Sequence, residues 1–320
     1  MTRAWIVALF AFVVAGAACG DDDPRPNPTT DTTADTTTGT TDTNGDGDGD
    51  GDDDIDVNID FALVAGDTAI DCETSFTAGT GDAPVDLLDA KMYVTNVRLI
   101  DDGGTEVPVA LTADDTFQSA TVALLDFAGS GGKCEGADDA TNTALVGTAP
   151  AGTYVGLVFE IGVPFDENHA ELGGGGAPLD DSRMFWAWAI GRKFMRFDVS
   201  YGDLMADRFN FHLGSHMCPN GTDPFDASVP PTAECMRSNR PEVRFDTGFA
   251  LGTSTVQLDL DALYGGLDVT AFPDAMRPGC QSFPPEGTEC QPVYDGLDLD
   301  FSTGECKTAA CAGQTAFSLQ

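Results

Sequence analysis

Apolar residues recur at every second position in several short stretches of this chain, and that alternation constrains its fold more than any other feature. Val155-x-Leu157-x-Phe159-x-Ile161-x-Val163 is the clearest case, with others at Met92 to Ile100, Val107 to Leu111, Val122 to Phe127 and Val256 to Leu260. Side chains two apart share one face of a strand, so each stretch reads as a half-buried strand. Clusters such as Asp101-Asp102-Gly103-Gly104 and Pro150-Ala151-Gly152 punctuate them as turns. No long segment repeats at i, i+3, i+4, i+7; only Leu258 to Leu267 and parts of 275–300 suit short helices. The expected class is all-β, an antiparallel β-sandwich with minor helices.

The N-terminus carries an address. Met1-Thr2-Arg3 precedes an apolar run from Ala4 to Val14 and then Ala15-Gly16-Ala17-Ala18 before Cys19. A basic start, a short apolar run and small residues make residues 1–18 a signal peptide rather than a membrane span. A cysteine directly after the small residues resembles a bacterial lipoprotein lipobox, which implies cleavage before Cys19 and a lipid on its sulfur. The mature protein is then anchored to a membrane without crossing it. Gly20 rather than Asp follows the cysteine, which points to the outer membrane or cell surface.

Residues 19–54 are rich in Asp, Thr and Gly, with almost no hydrophobic residue, and read as a disordered acidic tether. The frame from Asp42 to Asp53 is close to a calcium loop, but Asp53 stands where the bidentate Glu belongs and no amphipathic helix flanks it. A solvated linker is the better reading than a calcium site. Residues 55–320 are expected to form one folded unit. The formal net charge of −38 argues against nucleic acid, whose affinity comes from neutralising phosphates, and favours a basic partner or a metal cation.

Of nine cysteines, eight remain once Cys19 is set aside, an even number in an exported chain and hence a disulfide framework. Proximity in sequence favours Cys218 with Cys235, Cys280 with Cys290 and Cys306 with Cys311, leaving Cys72 with Cys134, although many other connectivities are open. The absence of Cys-x-x-Cys speaks against a zinc ribbon or a c-type haem attachment.

Chemistry concentrates in a short region. Met184-Phe185-Trp186-Ala187-Trp188 and Phe211-His212-Leu213-Gly214-Ser215-His216-Met217-Cys218 hold two of the three Trp and two of the three His, and His169 follows Gly162-Val163-Pro164-Phe165 in a separate loop. As one strand, Met184, Trp186, Trp188 and Ile190 share a face, which makes the two indoles neighbours. In the second segment Phe209, Phe211 and Leu213 face the core and His212 faces away. Imidazoles with a thioether suit copper, and zinc less selectively, so His169, His212, His216 and Met217 are the candidate ligands. Met184, Met195 and Met205 are further soft donors, the first two reading equally well as core. Intact Trp offers only an N–H donor and cannot ligate. No Gly-x-Ser-x-Gly elbow or other nucleophile–base pairing is evident, and the chain is not expected to be an enzyme.

Many motifs in order carry a family resemblance over roughly residues 56–318. They include Met92-Tyr93-Val94-Thr95-Asn96-Val97-Arg98-Leu99, Val122 to Phe127, Gly162-Val163-Pro164-Phe165 with Asn168-His169, Met184-x-Trp186-x-Trp188, Lys193-Phe194, His212-Leu213-Gly214-Ser215, Asn239-Arg240 and Pro278-Gly279-Cys280. In these the chain resembles the MbnP-like family, the metallo-mystery-pair four-Cys proteins related to copper-repressible surface proteins of methanotrophs. The resemblance implies a β-rich surface protein working with a di-haem, cytochrome c peroxidase-like (MbnH-like) partner that oxidises a Trp to kynurenine. Kynurenine carries an arylamine and a ketone and can ligate copper beside His. By motif position Trp186 is the first candidate for modification and Trp188 the second, with His169 and His212 as the family-matching ligands. Arg192 stands where the family usually has Tyr, which bears on the partner-facing surface. His216-Met217 replaces Thr-Gly, either adding ligands or being a tolerated loop change, and Cys306 and Cys311 lie outside the four-Cys pattern. The alternative is a structural or interaction lipoprotein without a metal site.

Overall fold

Two sheets form because the alternating segments find partners on both edges. The computed structural model describes residues 54–136, 140–272, 278–282 and 288–320; the expected signal peptide, Cys19, nearly all of the tether and the Asp42–Asp53 frame lie outside the described residues. The six-stranded sheet runs Phe317–Leu319, Thr255–Asp259, Asp54–Ala65, Ala144–Pro150 and Ala110–Leu111, with Thr68–Ala69 paired to Asp54–Ala65. The nine-stranded sheet runs Glu242–Phe245, Tyr154–Ile161, Ala83–Asp101, Met195–Ser200, Arg208–Leu213 and Gly279–Gln281. Its central strand, Ala83–Asp101, also pairs with Phe76–Ala78, Glu106–Pro108 and Val122–Asp126.

Aromatic rings join the sheets. Phe159 of the larger sheet stands edge-on to Phe61, centroids 5.6 Å apart, and to Phe317 at 5.8 Å, both from the smaller sheet. Phe209 and Phe211 meet Tyr264 and Tyr294 edge-on, which seats the short helices Leu260–Tyr264 and Gln291–Asp295 against the core. The fold is therefore a β-sandwich with minor helices, as the alternation implied. All four disulfides join the sequence-proximal partners: Cys72 with Cys134, Cys218 with Cys235, Cys280 with Cys290 and Cys306 with Cys311.

Four expectations need correction. Asp54–Ala65 pairs with Thr255–Asp259, and Arg208–Leu213 with Gly279–Gln281, in parallel, so pairing is mainly rather than wholly antiparallel. Long intervening segments supply the crossovers that parallel neighbours need. The central strands of the larger sheet are not half-buried: Val122–Asp126 is buried throughout, as is Ala83–Asp101 from Leu87 to Thr95. Val107 to Leu111 is two strands, Glu106–Pro108 in one sheet and Ala110–Leu111 in the other. Pro108 lacks an N–H with which to continue the ladder. Finally, Met184 to Ile190 is not one strand. Only Phe185–Ala187 is extended, and the chain turns through Ile190, whose N–H donates to Ala187 O, to return as Gly191–Arg192.

Candidate metal centre

That hairpin covers the outer face of the nine-stranded sheet, where alternation places polar residues. Direct cross-strand pairing sets Asp126, Lys91, Arg196 and His212 in one row across four neighbouring strands. Asp89, Asp198 and Asn210 form the next row. Open to water this would be an ordinary solvated face, but Asp89, Lys91, Asp126, Asp198 and His212 are all buried.

Burial makes pairing obligatory. Lys91 pairs with Asp126 and with Asp181, and Arg183 and Arg196 each approach Asp89 at 3.3 Å. Even so, burial pushes Asp89 up to about 6, against the pull of Arg196 and Arg183. Asp198 Oδ2 accepts from Arg196 Nε at 2.8 Å, and its Oδ1 lies 2.8 Å from His212 Nε2. Burial opposes the charge on Asp198, but His212 and Arg196 outweigh it and hold the carboxyl below its usual range. For His212 burial outweighs the Asp198 carboxylate and lowers the imidazole, which favours the neutral ring. A neutral ring facing an ionised carboxylate donates from Nε2, so Nδ1 keeps the lone pair. Nδ1 is buried and has no hydrogen-bond partner among the described residues.

Trp186 closes this corner, its ring centroid 6.5 Å from that of His212 and Lys193 Nζ 5.7 Å above it. Lys193 is pushed down to about 8 by burial, with Arg196 adding to the effect. Gly214 admits the indole: a Cβ there would meet Trp186 Cζ3 at 2.5 Å and Arg192 O at 2.6 Å. Trp188 lies elsewhere, beside Phe185, Ala187 and Leu172 in a shallow surface groove. The two indoles thus do not share a face as the single-strand reading required, because the chain has already turned at Trp188.

His169 follows the single helical turn Phe165–Asn168. Its Nδ1 lies 3.0 Å from Trp188 O, and Nε2 lies 3.2 Å from Asn168 Nδ2 and 3.4 Å from Cys235 Sγ. Burial lowers this imidazole as well. One nitrogen of His169 and the sulfurs of Cys218 and Cys235 fall within 4.8 Å of one another, the metal-ligand grouping found among the described residues. Those sulfurs are joined as a disulfide, so no thiolate is on offer and the imidazole is the one conventional ligand of the three. His169, His212 and His216 do not form such a group. His216 and Met217 instead line a cavity of about 180 Å³ with Ile190, Ser215, Cys218 and Phe225. Met184 and Met195 are core residues and Met205 is exposed.

Comparison with known proteins identifies the family. The MbnP family profile matches residues 54–282. The chain belongs to the MbnP family. Among solved structures, MbnP from Methylosinus trichosporium superposes with a TM-score of 0.72 at 31% identity, covering 83% of this chain and 98% of that one. No curated protein matches it.

Membership gives the ordered motifs structural work. Asn168 Oδ1 accepts from Arg192 N at 2.7 Å and its Nδ2 donates to Ser215 Oγ at 2.8 Å, tying the His169 turn to the hairpin and to the end of the His212 strand. Arg192, expected to bear on a partner-facing surface, is fully buried. Its guanidinium donates to the carbonyls of Glu167, Asn168 and Ala170 at the end of the helical turn and to that of Leu179. In this MbnP-family member the departure from Tyr therefore lies in the interior. Asp198 and Arg196 escaped the sequence reading altogether, since polar residues alternating along a strand look solvated. The signal was that Arg-x-Asp stands on a strand running straight out of the Trp hairpin and into a short turn before Phe209-x-Phe211-His212.

Proposed function

We propose that this MbnP-family chain is a lipid-anchored copper-binding protein of the outer membrane or cell surface, not itself an enzyme. Its Trp186 is the substrate of a di-haem cytochrome c peroxidase-like partner, which converts it to kynurenine. The observation that carries this reading is the buried, unpartnered Nδ1 of His212 beside the Trp186 ring. A buried lone pair without a partner is costly unless something occupies it, and a soft or borderline metal does so.

The donor set fits copper. His212 is backed by the Asp198 carboxylate and His169 by the Trp188 carbonyl, the outer-shell partners that orient metal-binding imidazoles. Burial favours the neutral form of both rings; Nδ1 of His212 is open, whereas Nε2 of His169 faces the Asn168 amide and would have to exchange that contact for a metal. Conversion of Trp186 would use a peroxide-class oxidant at the partner to cleave the indole C2–C3 bond, two peroxides supplying two oxygens and leaving as water. Hydrolysis would then release the C2 carbon as formate. The net gain of one oxygen and loss of one carbon replaces an N–H donor with an arylamine that can ligate. Trp186 is favoured over Trp188 because only Trp186 lies against an imidazole with an open nitrogen. His216 and Met217, on their separate cavity, are auxiliary donors at most.

Competition titration of copper against a chromogenic chelator tests this reading. Protein from the native host is expected to bind copper, and His169→Ala with His212→Ala to lose that binding. Unchanged affinity in the double variant would leave a structural or interaction lipoprotein as the better description.

A further inference from the structure

Asp198 accepts two hydrogen bonds on two different oxygens, and that division decides which face of His212 is free. Oδ2 is held by Arg196 Nε at 2.8 Å, and Oδ1 by His212 Nε2 at 2.8 Å. Arg196 is a donor under all conditions, so the oxygen facing it must accept. A carboxylate accepts at both oxygens, hence His212 must donate from Nε2. We propose that Asp198 is a positioning residue: it locks His212 into the Nε2–H tautomer and thereby makes Nδ1 the metal-ligating atom. This rests on the copper reading above, in which His212 is a ligand.

The surrounding structure leaves Asp198 no other arrangement. It is buried on the outer row beside Asp89 and Asn210, and its strand is held on both edges by Ala83–Asp101 and Arg208–Leu213. The same Arg196 Nε also approaches Asp89 Oδ2 at 3.3 Å, so the guanidinium edge is held between the two carboxylates. The imidazole is confined by Trp186 above and by the strand pairing of His212 with Arg196. Proton position is then the remaining freedom of the ring, and Asp198 removes it.

The substitution Asp198→Asn isolates this role. An amide NH2 cannot face the Arg196 Nε–H, since two donors would meet at 2.8 Å, so the amide oxygen turns to Arg196 and the NH2 to His212 Nε2, which becomes an acceptor and drives the proton to Nδ1. Shape is kept, the hydrogen bond from Arg196 Nε is kept, and the ligating nitrogen is blocked; the same logic makes an Asp-to-Asn change behind a catalytic histidine yield the wrong tautomer. Long-range proton–nitrogen correlation spectra of the metal-free full chain read the tautomer directly. The wild type is expected to be protonated at Nε2 and Asp198→Asn at Nδ1, with copper affinity of host-derived protein falling about 10- to 100-fold in the variant.

An Nδ1-protonated ring in the wild type, or copper affinity in Asp198→Asn equal to that of the wild type, would overturn the proposal. The wild-type spectrum decides even if the variant fails to fold. His212→Ala separates the two levels: unchanged affinity there defeats the ligand reading itself, whereas lost affinity there together with full affinity in Asp198→Asn defeats only the positioning role.

Discussion

The two faces of one strand pair, Met195–Ser200 with Arg208–Leu213, are both buried and yet do opposite things. On the inner face Met195, Phe197, Val199, Phe209, Phe211 and Leu213 are apolar and close-packed into the sandwich core. On the outer face Arg196, Asp198 and His212 are charged or polar and are shut in by the Trp186 hairpin. Inner-face burial stabilises in proportion to area. Outer-face burial opposes stability, since each charge must be matched and His212 Nδ1 is not. A fold gains nothing for its own stability by enclosing such a face, so its retention points to chemistry.

Neighbouring residues allow the contrast to be broken most sharply. Phe211→Ala should destabilise the protein by about 3 to 5 kcal/mol, through lost transfer energy and a cavity beside Tyr294, as read by denaturant unfolding. His212→Ala, one residue along, should cost about 1 to 3 kcal/mol, because Asp198 loses one donor but keeps Arg196. Copper binding should show the reverse order, lost in His212→Ala and retained in whatever fraction of Phe211→Ala is folded. Equal losses of stability would mean that the outer face is core in the ordinary sense.

Gly214→Ala sharpens the comparison at the boundary between the faces. The new Cβ would fall 2.5 Å from Trp186 Cζ3, so the indole must move off His212, at about 1 to 3 kcal/mol for the overpacking. A shifted Trp emission maximum is expected in protein with intact indoles, and weaker copper binding in protein from the native host; an unchanged emission spectrum would mean that the Trp186 contact with this glycine is not kept in solution.

The smallest effect is spectroscopic. Burial depresses Lys193 to about 8, so its ammonium sits over Trp186 below that pH and is lost above it. Trp emission should therefore change with a midpoint near 8, and Lys193→Met should abolish the step. For stability the sign is that of a depressed lysine. Its contribution is fully present above the unfolded pKa of about 10.4 and is lost as pH falls through about 8, where the buried amine must take up its proton.

The inner face was legible in the sequence and the outer face was not. Alternation from Val155 to Val163 and from Phe209 to Leu213 fixed which side chains enter the core, and cysteine proximity matched every disulfide. His212 was correctly placed opposite Phe211. Its burial was not foreseeable from its own strand, because the cover comes from a hairpin whose turn at Trp188 to Ile190 has no Gly or Pro before Gly191 to announce it. The same hidden turn separated the two indoles. Asp198 was not singled out, because only burial couples it to Arg196 on its own strand and to His212 on the next, and Arg192 read as a surface residue until the carbonyls of the Phe165–Asn168 turn closed around it.

Peptide mass spectrometry of protein from the native host bears most directly on the central claim, since the segment 184–192 holds both candidate indoles. Gain of one oxygen with loss of one carbon at Trp186, and an unaltered Trp188, is the predicted result. Both indoles intact in cells that make a di-haem cytochrome c peroxidase-like protein, or the change confined to Trp188, would contradict it.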